Sequence, residues 1–418
     1  MQGVRNSGSE TLDISGILED SPSDPIERAL FTSYYVDEEW LLSYINPLAE
    51  LAIIAQHTVN AVSGDNSRIT RCFPEMPKAD VQIMHTKIML VYYRHRLRFV
   101  VLTGNLVKED WSVMQNAVFV QDFWRNRAAV FRANEFSRSL AYALHDLGVP
   151  RDFVAMMNGV DFSLASARIV TSVPTGGVRE QRNMDEYGVE RLATVVRELG
   201  VDEENVGVSA QNIDEFTPNA RLYCVGSSVG PMDNKWLCDM YLGAHGINHS
   251  QCKRPISPEV LPWDLVDIGV AFPTQKQADR CRYGEVGRQH VYMKRGCYFN
   301  KEFPRSSLVY LVPRVARTLV HAKVVLARFG VRQRRGWMYL GSHNFTPAAW
   351  GRLCVGGESR RDAYFNNYEF GVVLDNVEFM DVGENTESDV LWRGEKIALP
   401  FRYIWEPYKQ DEMPFFSE

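Results

Sequence analysis

The sequence has no surplus of positive charge: 46 Lys and Arg stand against 52 Asp and Glu, a net charge of −6. No global positive field advertises a nucleic-acid partner, so any polyanion site has to be a local basic cleft in an acidic body. Seven cysteines are scattered without a CxxC pair. That odd, unpaired set argues against a disulfide framework or a zinc site and for a reducing compartment. No apolar run approaches the roughly 18–20 residues of a membrane span. The N-terminus lacks the basic-then-apolar pattern of a signal peptide.

What is present fits a folded enzyme-sized protein. With 418 residues, 45% hydrophobic and 23% charged, the chain is long enough for two cores of ordinary size. Basic residues cluster locally as Arg94-His95-Arg96-Leu97-Arg98 and Arg332-Gln333-Arg334-Arg335, and the plain reading of each is a solvated hairpin rim. Residues 1–24 are polar and rich in Ser, Gly, Asp and Glu, and are expected to form a disordered lead-in. Pro25 to Ile45 has the apolar anchors of a helix, as do Phe136 to Leu147 and Met184 to Leu199. Leu51–Ala55, Val81–Tyr93, Leu97–Thr103 and Ala167–Ser172 read as strands. The turn Val173-Pro-Thr-Gly-Gly177 then closes a first domain, 25–177. In the second, 178–418, the plan recurs: strands at Arg221–Val225, Leu308–Val312, His321–Ala327, Gly336–Leu340 and Tyr368–Leu374, and a helix beginning at Trp236. Strands alternating with helices imply layered α/β domains. The repeat implies two similar halves facing across a pseudo-twofold axis.

The repeat is also chemical. His85-Thr-Lys87 is followed by a β-like run and Thr103-Gly-Asn105; His321-Ala-Lys323 is followed by a β-like run and Gly341-Ser-His-Asn344. On a strand, positions i and i+2 share a face, so each His projects with its Lys. A lone His-x-Lys is ordinarily surface decoration. Two copies, each trailed by an Asn turn, are what a two-histidine phosphodiesterase needs. Fixed ammonium and amide donors stabilise the charge gained in a pentacovalent phosphorus transition state. One neutral histidine can attack while the other, protonated, serves as acid, provided their environments split their pKa values. Passage through a covalent phosphohistidine divides the displacement into two steps. No Asp/Glu cluster with metal spacing lies beside either copy in sequence, so no metal and no cofactor are expected.

The longer phrases resemble the phospholipase D superfamily, and within it the tyrosyl-DNA phosphodiesterase 1 family. They are His85-Thr-Lys-Ile-Met-Leu-Val-Tyr-Tyr93 with Leu97-Arg-Phe-Val-Val-Leu-Thr-Gly-Asn105-Leu-Val-Lys-Glu-Asp-Trp111, then His321-Ala-Lys323 with Leu340-Gly-Ser-His-Asn344-Phe-Thr-Pro-Ala-Ala-Trp-Gly351 and Tyr368-Glu-Phe-Gly371. Gly226-Ser-Ser-Val-Gly230, Lys235-Trp-Leu-Cys238 and Phe272-Pro-Thr274 belong to the same resemblance. Common phospholipase D motifs carry an Asp five residues after the Lys; Tyr92 and Arg328 stand there, which disfavours a lipase and fits the tyrosyl-DNA enzymes.

The resemblance implies an α/β fold of two α-β-α-β-α sandwich domains sharing one active site. It makes His85 the nucleophile, His321 the acid and then the base, and Lys87, Lys323, Asn105 and Asn344 the phosphate ligands. Glu369 would orient His321, and a glutamine would orient His85. Gln115 is the candidate, but Asn116 occupies the expected offset, so both stay open. Ser227, Ser228 and Thr346 match positions that hold the DNA strand, whereas Pro231 stands where a serine would. The implied substrate is a single-stranded or nicked DNA 3′ end bearing tyrosine or a topoisomerase I peptide, bound by a monomer without a membrane partner. The implied place is the nucleus, with cytoplasm and mitochondrion as alternatives. The rival readings are a general nuclease or phospholipase of the superfamily, and a catalytically silent DNA-end-binding module.

Overall fold

The computed structural model describes residues 2–5, 12–62, 68–175, 184–202, 204, 212–248, 261–330, 335–355, 361–380 and 389–417. Two sheets organise the chain, and they repeat one pattern. In the first, Ile26–Asp37 pairs in parallel with Glu50–Val59, which pairs in parallel with Ile69–Cys72. On its other side Ile26–Asp37 meets the antiparallel series Ile88–Tyr93, Arg96–Leu102, Ala117–Trp124. In the second, Ala220–Val225 pairs in parallel with Asp267–Phe272, which pairs in parallel with Leu308–Tyr310. Its other side meets the antiparallel series Val324–Phe329, Arg335–Gly341, Asn367–Met380. Strand order and direction coincide, so the chemical repeat rides on a structural one.

The halves are also stitched together. Ile83–Met84 pairs in parallel with Asn367–Tyr368, and Arg168–Ser172 pairs antiparallel with the same long strand. The last strand before the Pro174 turn thus joins the second sheet; Gly176 and Gly177 lie outside the described residues. One apolar cluster runs between the sheets, uniting Leu30, Phe99 and Phe136 with Leu326, Phe370 and Trp392. The outer face of the first sheet is closed by Ile14, Ile17 and Leu41. The outer face of the second is closed by the helices Gly188–Leu199 and Asn234–Ala244. No helix among the described residues is long and apolar enough to cross a membrane.

Two expectations are corrected. Pro25 to Ile45 is not a helix but the 12-residue strand Ile26–Asp37 followed by the short helix Glu38–Leu42. The stretch Phe31-Thr-Ser-Tyr-Tyr-Val36 is rich in β-branched and aromatic residues, and it forms a central strand between two neighbours with Phe31, Thr32, Ser33 and Val36 buried. Asp37 then caps the helix, accepting from Trp40 N at 3.1 Å. The second correction concerns the polar lead-in. Gln2–Arg5 forms a strand parallel to Ala117–Val120, and Ile14–Leu18 forms a helix capped by Asp13. Leu12, Ile14, Ile17 and Leu18 are buried. Arg98 holds this helix by donating to Ile17 O at 2.7 Å and Glu19 at 3.0 Å while bridging Asp122 at 2.7 Å. The basic run around Arg96 and Arg98 is therefore committed to Glu19, Asp24 and Asp122, not offered to a polyanion. Of the other run, Arg332 and Arg334 lie outside the described residues.

Candidate active site

Both His-x-Lys copies sit in extended chain just before a strand, not within it. Each is nonetheless fixed by backbone bonds. Lys87 O accepts from Leu102 N at 3.0 Å, and Lys323 O accepts from Gly341 N at 3.2 Å. Each histidine is then clamped by the opposite half. His85 N donates to Tyr368 O at 3.0 Å, and His321 N donates to Gln115 O at 2.9 Å. This crossing decides which side chain serves which ring.

Glu369 reaches His85, with 2.8 Å between Oε2 and Nδ1. It does not orient His321, which corrects the expectation drawn from the resemblance. The reason is the parallel pairing of Ile83–Met84 with Asn367–Tyr368, which carries Glu369 past His85. The His321 ring is instead met by Asn116, whose Oδ1 lies 3.2 Å from Nδ1, and by Asp110, whose Oδ2 lies 3.3 Å from the same atom. Gln115 contributes backbone, exchanging bonds with Leu319 and His321, while Asn116 contributes the side chain. Asn116 is itself fixed by donating to Asp110 O at 2.8 Å and accepting from Thr103 Oγ1 at 2.9 Å.

Glu369 is buried and fully engaged. Ser342 Oγ donates to its Oε2, and Asn367 Nδ2 donates to its Oε1 at 2.8 Å. Burial opposes its charge, yet His85 and Lys87 hold its carboxyl down at about 2. With Glu369 anionic, Nδ1 of His85 carries the proton and Nε2 keeps its lone pair. Burial, and then Lys87, push His85 down to about 4, with Glu369 partly countering them. The His321 ring is pushed well below its ordinary value by burial and then by Lys323. Its Nε2 faces Lys323 Nζ at 3.0 Å.

The lysines are buried beside their histidines. Lys87 donates to His85 O at 2.9 Å; Lys323 donates to His321 O at 2.7 Å and to Thr103 O at 3.1 Å. Burial lowers Lys87 to about 7 and Lys323 well below its usual basicity. An incoming phosphate anion restores their charge by the same electrostatics.

Asn105 and Asn344 occupy matching turns. The backbone N–H of Asn105 donates to Asp110 Oδ2 at 2.5 Å, and Trp111 Nε1 donates to Asn105 O at 2.9 Å. Asn344 Oδ1 accepts from Ser227 N, Ser227 Oγ and Ser228 N at 3.0–3.1 Å. Its oxygen is occupied, so the NH2 group remains for another acceptor. Ser227 and Ser228 thus brace Asn344. Thr346 caps the helix Pro347–Trp350, accepting from Ala349 N at 3.2 Å. Gly226 and Gly230 let these segments touch: a Cβ on Gly226 would stand 3.0 Å from Phe345 N, and one on Gly230 3.2 Å from Thr346. Beside His85, Tyr34 packs edge-on at 5.8 Å and leads to a stacked Tyr35–His57 pair at 4.9 Å.

Sequence reasoning did not single out Asp110, Ser342, Asn367 or His290. Asp110 and Ser342 lay inside quoted phrases, and their burial was the missing signal. His290 had none; it comes from a remote loop to Asp110 Oδ1 at 3.2 Å.

A site with two histidines, two lysines and two asparagines, set on a repeated α/β frame, is that of a phosphodiester hydrolase of the phospholipase D type. The family model described as tyrosyl-DNA phosphodiesterase matches residues 2–409. Tyrosyl-DNA phosphodiesterase 1 of Arabidopsis thaliana is 22% identical over 450 residues, spanning 93% of this chain and 69% of that protein. The crystal structure of the yeast tyrosyl-DNA phosphodiesterase superposes with a TM-score of 0.71 at 16% identity, covering 97% of each chain. A histidine-to-arginine form of the yeast enzyme gives 0.70 at 16%, over 97% of this chain and 96% of that one. The chain belongs to the tyrosyl-DNA phosphodiesterase family: a phosphodiester hydrolase of DNA repair, in a family that acts on tyrosyl-linked 3′ ends.

Proposed function

We propose that this enzyme releases tyrosine, or a topoisomerase I peptide, from a DNA 3′ end through a covalent phosphohistidine on His85 and leaves a 3′-phosphate. The observation that carries the reading is the His85–Glu369 pair at 2.8 Å, which presents a neutral ring with Nε2 free for attack. As Nε2 bonds to phosphorus the ring gains positive charge, and Glu369 offsets it. His321 supplies a proton to the departing phenolate, then takes one from the water that frees the DNA. A phosphodiester drawn between Lys87 and Lys323 adds the negative charge that raises His321 into the range where it can be protonated.

Lys87, Lys323 and the amides of Asn105 and Asn344 hold the non-bridging oxygens. Asn116, with Gln115 as its backbone anchor, sets the His321 tautomer. Ser227, Ser228 and Thr346 line the DNA strand's path, contacting backbone phosphates. The enzyme works as a monomer, in the nucleus.

The test is a labelled oligonucleotide with a 3′-phosphotyrosine, incubated with the full chain in excess EDTA. Conversion to the 3′-phosphate is expected. An unchanged substrate, or conversion only after Mg²⁺ is restored, contradicts the mechanism.

A further inference from the structure

We propose that Asp110, His290 and His321 form a binding site for zinc, and that zinc bound there switches the enzyme off. Nδ1 of His290 stands 3.2 Å from Asp110 Oδ1, and Nδ1 of His321 stands 3.3 Å from Asp110 Oδ2. The three donor atoms lie within 4.8 Å of one another. The two imidazole rings are 5.7 Å apart and inclined at 73°, converging on one carboxylate.

Two features distinguish this cluster from an ordinary hydrogen-bonded triad. First, Asp110 is fully buried, and its Oδ1 meets only His290 Nδ1, at 3.2 Å and outside good hydrogen-bond geometry; His290 Nε2 has no hydrogen-bond partner. A buried carboxylate oxygen so weakly satisfied is costly. Second, a charge-assisted N–H···O bond draws its atoms to about 2.7–2.9 Å, closer than either contact here. Two ligands on one tetrahedral zinc, each at about 2.0–2.1 Å, stand roughly 3.3 Å apart. Asn116 Oδ1, 3.2 Å from His321 Nδ1, offers a fourth ligand atom at a similar spacing.

The other half of the active site makes the contrast. Glu369 has a donor on both oxygens, from His85 and Ser342 on one and Asn367 on the other. The further histidine of that half, His343, is engaged on both nitrogens by Ser172 and Tyr339. Between the two carboxylates, only Asp110 keeps an oxygen outside hydrogen-bond geometry among the described residues. Two imidazoles and a carboxylate suit zinc, and then copper, nickel or cobalt; magnesium and calcium want oxygen alone. Lys323 sits at Nε2 of His321, across the ring from the site. The side chain of His290 keeps 14% exposure, which gives a cation an approach.

The consequence rests on the role of His321 given above. With zinc on Nδ1, the ring's hydrogen moves to Nε2. The ring is then neither an imidazolium that can protonate tyrosine nor a base with a lone pair for water.

The test uses the full chain, stripped with EDTA and dialysed. Calorimetric titration with ZnCl₂, and the visible spectrum with Co²⁺, read binding without activity. Wild type should bind one equivalent that His290→Leu and His290→Gln each weaken at least tenfold; thermal melting confirms that each variant is folded, and either one suffices. Hydrolysis of the 3′-phosphotyrosyl strand should fall over the same zinc range and recover in EDTA, whereas Mg²⁺ leaves it unchanged. Each variant, scored against its own zinc-free rate, should need at least tenfold more zinc. Equal zinc affinity in wild type and a folded variant, or a filled site with undiminished turnover, overturns the proposal. If the stripped enzyme does not act on phosphotyrosyl DNA at all, the proposed function fails, and calorimetry still decides the site.

Discussion

Replacing Glu369 by Gln tests the pairing of orienting groups most sharply. A glutamine can keep an oxygen on His85 Nδ1, so the tautomer survives; its amide then faces Asn367, whose own Oδ1 has no partner and can turn to receive it. What is lost is the charge. A hydrogen bond to a charged group exceeds a neutral one by about 1–1.5 kcal/mol. The Coulomb attraction between unit charges about 4 Å apart is about 4 kcal/mol at an effective dielectric of 20. Those bounds place the loss between about tenfold and a thousandfold in the step that builds positive charge on His85. Rapid-quench measurement of tyrosine release should show the burst slowed by that factor. Decay of the adduct, which depends on His321, should change less. The acid limb of kcat/KM should also move to lower pH. His85 is neutral above about 4, and Glu369 is the group that raises it, so removing the carboxylate makes the ring harder to protonate. A burst within twofold of wild type, or a defect confined to adduct decay, would refute the reasoning and return Glu369 to His321.

Other substitutions separate neighbouring roles. His85→Ala should abolish any covalent adduct, read by intact-protein mass spectrometry. In His321→Ala, the cleavage step of a p-nitrophenyl ester, read as the burst of leaving-group release, should lose less rate than that of the tyrosyl ester, because only the poorer leaving group needs the proton; equal losses in the burst rate would contradict the assignment. Asn116→Ala should lower turnover about 10- to 100-fold, as loss of a ring-orienting partner does, whereas Gln115→Ala should stay within about threefold because its backbone makes the contact. Arg98→Ala should cost about 2–4 kcal/mol of stability in urea unfolding, since it removes a buried cation bonded to Asp122, Glu19 and Ile17 O.

The His-x-Lys and Asn positions were legible because the chain states them twice, and a repeated phrase reads without knowledge of contacts. The frame was legible in the strands that carry those phrases. The orienting groups were not, because each comes from the half opposite its histidine, through the pairing of Ile83–Met84 with Asn367–Tyr368 and the bridge of Gln115 to Val320. Such contacts leave no local periodicity. For the first strand, Leu30, Phe31, Trp40 and Leu41 fit a helix as well as a buried strand, and short apolar runs do not separate the two. The polar lead-in misled for a related reason. Its few apolar residues are enough when Arg98 and Tyr93 reach out to fix the helix backbone at Ile17 and Leu18. His290 and Asp110 are remote in sequence, and only the fold joins them.

The covalent route with divided histidines is tested most directly by His321→Arg. Arginine keeps a positive charge by the phosphate but stays protonated and offers no base. Cleavage then proceeds while hydrolysis stalls. A labelled 3′-phosphotyrosyl strand should yield a DNA–protein band on a denaturing gel, labile to acid as a phosphoramidate is, and absent when His85→Ala is added. Consumption of substrate with no such band, or a band that persists in the His85→Ala background, would contradict the account.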